Sequence, residues 1–156
     1  MFRRVSVKGS VAAGLIAVLA VVATAFAAQP NKNGTYTWST GSGAHQTGLE
    51  LSVSGAHKLS IYLSCGALGS AGRLNLGPEY GWTSNRAATV KADGSFSYHG
   101  KAHGTERTGM FHRQVTILHG HMDVSGRFVS SQEATGIARA GKCNAHFSAQ
   151  LLSSYP

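Results

Sequence analysis

Between Gly34 and Leu152 the chain places an apolar residue at every second position, in short bursts closed off by glycine and polar turns. Alternate side chains of a β-strand face opposite ways, so each burst reads as a strand with one dry and one wet side. "TGLELSVSG" sets Leu49, Leu51 and Val53 against Glu50 and Ser52. After the turn "SGAHK", "LSIYLSC" sets Leu59, Ile61, Leu63 and Cys65 against Ser60, Tyr62 and Ser64. The two segments predict a hairpin. A second hairpin is signalled by "ATVKADGSFSYHG", whose Asp93-Gly94 pair tolerates the positive φ of a tight turn. "GTYTWST" offers Tyr36 and Trp38 in the same rhythm. "CNAHFSAQL" places Cys143, Ala145, Phe147, Ala149 and Leu151 inward, with Asn144, His146, Ser148 and Gln150 outward.

Two stretches lack the rhythm. Residues 66–84 carry glycine breaks and Pro78, and residues 100–110, "GKAHGTERTGM", are punctuated by glycine. Both read as connections, the first as a long loop or an irregular strand pair. Runs of helix formers are absent. The expectation is an all-β fold, an antiparallel β-sandwich or small barrel of about eight strands. Its core should hold Leu51, Val53, Ile61, Leu63, Phe96, Phe128 and Phe147, while Glu50, Ser60, Ser97 and Gln150 face solvent.

The N-terminus predicts where the chain works. Arg3, Arg4 and Lys8 precede an apolar run from Val11 to Ala23, and "AFA" (Ala25–Ala27) supplies the small residues read by a signal peptidase. Residues 1–27 are expected to be a signal peptide, and residues 28–156 a single secreted, extracellular domain. The apolar run is shorter than the roughly 20 residues of a membrane-spanning helix, so no span is expected after cleavage. Cys65 and Cys143 are an even pair in an exported chain, and both fall on the apolar parity of their strands. That agreement predicts a disulfide between them.

The succession of "GTYTW" (Gly34–Trp38), a first cysteine closing an early hairpin, "DGSFSY" (Asp93–Tyr98), "GRFVSSQEATG" (Gly126–Gly136) and a late cysteine before an alternating strand resembles small exported all-β domains of actinomycete-type bacteria. The resemblance implies the fold and carries no activity with it.

Charge narrows the partners. The chain has 14 lysines and arginines against 6 carboxylates, and only Arg3, Arg4 and Lys8 leave with the signal. A basic mature chain favours anionic surfaces, such as phosphate-rich cell-wall or other extracellular polymers. Its cations are scattered singly and form no stripe of the kind that tracks nucleic acid, so nucleic acid is not an expected partner.

The histidines number 8. In "RQVTILHGHMD", His119, His121 and Asp123 alternate and share one strand face. Three readings stand side by side: a solvated polar ladder, a zinc or copper site completed by a third ligand such as His99, His103 or His146, and a surface that charges in mild acid. Val115 and Ile117 share the histidine parity, whereas Leu118, Met122, Val124 and Phe128 take the opposite one. This conflict predicts either a bulge near Leu118-Gly120 or partial cover on both faces. Tyr80 and Trp82, in the long connection, are candidate ligand-binding aromatics or a lid on the core. No "G-x-S-x-G" elbow exists and the carboxylates are scattered, so neither an enzyme nor a cofactor is expected.

Overall fold

A computed structural model describes residues 28–41, 45–55, 57–66, 77–108 and 114–154. The predicted signal peptide, residues 1–27, lies outside them. The elements are β1 (Gly34–Thr40), β2 (Gln46–Ser54), β3 (Lys58–Gly66), β4 (Glu79–Ser84), β5 (Ala88–Val90), β6 (Ser95–Thr108), β7 (Gln114–Ser130), β8 (Glu133–Ala140) and β9 (Cys143–Ser154).

Every pairing is antiparallel, and β1 pairs with both β2 and β9, so the sheet closes into a ring. β4 and β5 are two lengths of one stave. Both lie between β3 and β6 and keep a single register against β6, from Glu79↔Arg107 through Ser84↔Ala102 to Val90↔Phe96. Against β3 the register slips between them, with Tyr62↔Thr83 on one side and Leu59↔Ala88 on the other. The result is an up-and-down barrel of eight staves, an architecture that leaves few open sheet edges.

The alternation places the inward set as expected. Leu51, Val53, Ile61, Leu63, Phe96, Phe128 and Phe147 are buried, and Glu50, Ser60, Ser97 and Gln150 are exposed. Bulky inward residues on β1–β4 (Tyr36, Leu51, Leu59, Ile61, Trp82) face a wall of alanines on β8 and β9 (Ala134, Ala138, Ala145, Ala149). Large-to-small complementarity lets side chains fill an eight-stave interior. The Tyr36 and Phe128 rings meet edge-on at 5.0 Å, and Phe96 lies 5.4 Å from Phe128. The outward positions are mostly polar, with Tyr62, Val115, Ile117, Val129, Ile137 and Leu152 exposed among them. Among the described residues no helix is long and apolar enough to cross a membrane.

The Cys65–Cys143 disulfide joins β3 to β9, strands that are not neighbours in the ring, across Cα atoms 5.5 Å apart. At the opposite end the chain entering β1 is tied down. Gln29 donates from Nε2 to the Ala92 carbonyl at 2.8 Å. The Tyr36 hydroxyl donates to the Ser131 carbonyl at 2.7 Å and accepts from the Asn31 N–H at 2.9 Å.

Three sequence expectations are corrected. Within the predicted long connection, Glu79–Ser84 forms the regular strand β4, while residues 67–76 fall outside the described set. The predicted connection from Gly100 is β6 as far as Thr108. The second was hidden by the inward glycines Gly100 and Gly104 of β6, which leave no apolar residue to mark the rhythm. Gly104 and Gly120 give way to the Trp82 ring: a Cβ on Gly104 would lie 2.9 Å from it, and one on Gly120 3.0 Å. Gly141, with φ +54, turns β8 into β9 against the same ring. Finally, no bulge interrupts Leu118-Gly120. β7 holds one register against β6 throughout and shifts only against β8, between Phe128 and Ser130.

Candidate functional site

β6 and β7 stay paired from Ser95↔Arg127 to Thr108↔Gln114. Directly opposed residues of an antiparallel pair share a face, so the outward positions stack as rungs. His99 stands opposite Asp123, Lys101 opposite His121, and His103 opposite His119. All six are exposed. The inward partners Gly100–Met122, Ala102–Gly120 and Gly104–Leu118 anchor the rungs to the core. β8 adds Arg139 opposite Asp123, and β9 adds Asn144 opposite Arg139, which extends the first rung across four strands.

Local contacts orient the rings. The His99 Nδ1–H donates to Asp123 Oδ1, and the His99 and His121 rings sit 6.1 Å apart at 43°. The His103 Nδ1–H donates to Asn85 Oδ1 at 2.8 Å. Asn85 occupies the break between β4 and β5, and two acceptors hold its backbone N–H: the Lys101 carbonyl at 3.2 Å and the Tyr98 hydroxyl at 3.1 Å. That hydroxyl in turn donates to the Lys101 carbonyl. The break is therefore a built notch, and it fixes the amide that His103 leans on.

Three shallow hollows line this wall. One of about 330 Å³ lies among Ser97, His99, Asp123, Ser125, Ile137 and Arg139. A second, of about 380 Å³, fills the notch between Asn85, Arg86, Tyr98, His99 and Lys101. The third, of about 390 Å³, is bounded by Asn85, Lys101, His119 and His121. Shared walls at His99, Lys101 and Asn85 make them one interrupted groove along the ladder.

Charge is distributed unequally around the ring. The outward positions of β6–β9 carry Lys101, Arg107, Arg127 and Arg139 together with His99, His103, His119, His121 and His146, against Asp123 and Glu133. On β1–β4 the outward charges are Lys58, Glu50 and Glu79, with no histidine among them. One half of the barrel is thus rich in cations and imidazoles.

No family model, curated protein or solved structure matches the chain.

The residues singled out from sequence fall in two places. His119, His121 and Asp123 share the outer face of β7 as their spacing predicts. They run along the strand, and Asp123 turns to His99. Among the described residues no three His, Cys, Asp or Glu side chains are grouped to hold a metal ion. Tyr80 and Trp82 lie on β4 inside the barrel, 8% and 5% exposed. Near the disulfide, the Tyr80 hydroxyl donates to Glu106 Oε1 at 2.9 Å and accepts from Lys142 Nζ at 3.0 Å. The same ammonium sits 5.1 Å from the Tyr80 ring centre. The Tyr80 hydrogen bond holds the Lys142 ammonium above its ordinary pKa. Trp82 is slotted against glycines, and its Nε1–H is buried with no hydrogen-bond partner among the described residues. Sequence reasoning missed Lys101, Asn85 and Arg139 as members of the ladder. The signal was present: His99, Lys101 and His103 repeat the two-residue spacing of His119, His121 and Asp123.

Proposed function

We propose that this chain is a secreted, disulfide-stapled binding module that docks on anionic polymers of the cell exterior through the outer wall of β6–β9. The observation that carries this reading is the one-sided charge of the barrel. Cations held on a rigid sheet raise the local concentration of an anionic partner without chemistry of their own. A disulfide suits an oxidising compartment, and the signal-like N-terminus supports the same location. Nothing in the ladder pairs a nucleophile with a base in the manner of a hydrolase, so binding is the better reading than catalysis.

The test is co-sedimentation of the purified disulfide-bonded protein with cell envelopes, before and after their anionic polymers are extracted. Binding should fall with extraction and with added salt. It should also fall in the variant Lys101→Gln/Arg127→Gln/Arg139→Gln. Equal retention by that variant, or by extracted envelopes, would overturn the reading. Mass spectrometry of the exported protein should find Ala28 as its first residue.

A further inference from the structure

We infer that the β6–β7 ladder takes a linear phosphodiester chain laid along the strands, and that mild acid tightens its hold. The inference rests on the polyanion reading above and narrows it to one chemistry. Successive rungs lie about 6.8 Å apart, two residues of an antiparallel strand. Phosphodiesters joined through three-carbon spacers repeat over about six bonds, which span about 7 Å when extended. Consecutive phosphates of such a chain can therefore meet consecutive rungs, and the interrupted groove gives the spacers room.

The donors suit phosphate and carry a switch. Lys101 supplies a permanent ammonium on the middle rung. His103 spends its Nδ1–H on Asn85 Oδ1 at 2.8 Å, and His99 spends its own on Asp123. A neutral imidazole with its proton on Nδ1 presents a lone pair at Nε2, which repels phosphate oxygen. Protonation converts the same Nε2 into a charged donor. The groups facing these rings are Lys101 and Arg107 on β6, His119, His121 and Asp123 on β7, Arg139 on β8, Glu79 and Asn85 on or beside β4, and Arg86 at the notch. Imidazoles as a class gain charge in mild acid, and the rungs carry four of them against one carboxylate, Asp123, which is engaged by His99. The outward rings on the rungs are imidazoles, with no outward Phe, Tyr or Trp among them to give a nucleobase its stronger stacking platform, and this favours a chain without bases.

The experiment is titration of the purified disulfide-bonded protein with synthetic poly(glycerol phosphate), at about pH 7.5 and about pH 5.5, mild steps on either side of imidazole titration. Oligothymidylate, polygalacturonate and neutral dextran serve as competitors. Affinity for poly(glycerol phosphate) should rise about tenfold or more on acidification, with a steeper salt dependence as contacts are added. Lys101→Gln should weaken binding at both pH values. His103→Gln/His119→Gln, which leaves two of the four ladder imidazoles, should cut the acid gain to about a third of its wild-type factor or less, and an undiminished gain would overturn the switch. All of these positions are exposed, and an unchanged melting curve verifies the fold of each variant. A pH-independent affinity overturns the inference, as does equal or tighter binding of oligothymidylate or polygalacturonate, and the exterior-binding reading survives those results. Tight binding of dextran in place of the polyanions, or no binding of any polyanion, overturns both.

Discussion

Tyr36 shows how much a single side chain settles here. Its ring is fully buried against Phe128, while its hydroxyl joins Asn31 and Ser131 at the end of the barrel. Burial pushes the phenol above its ordinary 10.0, and the Asn31 hydrogen bond only partly opposes this. A phenol raised in the folded state stabilises the fold fully below its unfolded value, and that contribution is lost as pH climbs through the folded value. Tyr36→Phe should therefore cost about 1–2 kcal/mol at neutral pH for the lost hydrogen bonds. It should also flatten the fall in stability above about pH 10, as read by urea titration across that range. Gly104 is the complementary case, since a Cβ there would lie 2.5 Å from the Gly81 carbonyl oxygen as well as touching Trp82. Gly104→Ala should destabilise by about 1–3 kcal/mol through overpacking. Gly120→Ala, which meets only the far edge of the Trp82 ring, should cost less. A neutral Gly104→Ala variant would show that the ring does not occupy this slot.

At the scale of the element, β6 and β7 explain both what the sequence disclosed and what it withheld. Strands with an apolar residue at every second place, such as β2, β3 and β9, were legible because burial itself writes the pattern. The second half of β6 was not, because its inward places at Gly100 and Gly104 are vacated for the aromatics Tyr98 and Trp82. A vacancy has no hydropathy. The parity conflict along β7 has a simple origin: the strand is regular, and Val115 and Ile117 are the residues left outside, 55% and 63% exposed. The rungs depended on cross-strand register, which alternation within one strand does not encode; the shared faces of His119, His121 and Asp123 and of His99, Lys101 and His103 were readable, each only within its own strand. Val115→Thr/Ile117→Thr should change stability by roughly half a kcal/mol or less, as exposed substitutions do. Met122→Ala, fully buried on the same strand, should cost about 2–5 kcal/mol. Chemical denaturation of the two variants side by side distinguishes the faces. A large loss from the threonine pair would mean that the outer wall is covered.

For the whole molecule, closure is shared between hydrogen bonds and one covalent bond. The β1–β9 pairing completes the ring, and the disulfide links residues 78 positions apart. Chain entropy assigns a cross-link of that span about 4.5 kcal/mol, and removing native disulfides commonly costs about 2–5 kcal/mol. Cys65→Ser/Cys143→Ser should thus melt lower by about 10 °C or more, as calorimetry would show, while a shift of a degree or two would mean the hydrogen-bonded ring suffices alone. The span has a second effect, on cleavage. Every strand from β4 to β8, and every rung residue of β6, β7 and β8, lies on the chain between the two cysteines. One cut by a protease anywhere in that interval yields two polypeptides that stay a single molecule, because the sulfurs hold the halves together. Their reassociation is then an intramolecular event at high effective concentration. A nicked sample should run at full mass until reduced and keep its fold meanwhile, so that damage to the face meant for a partner does not release the pieces.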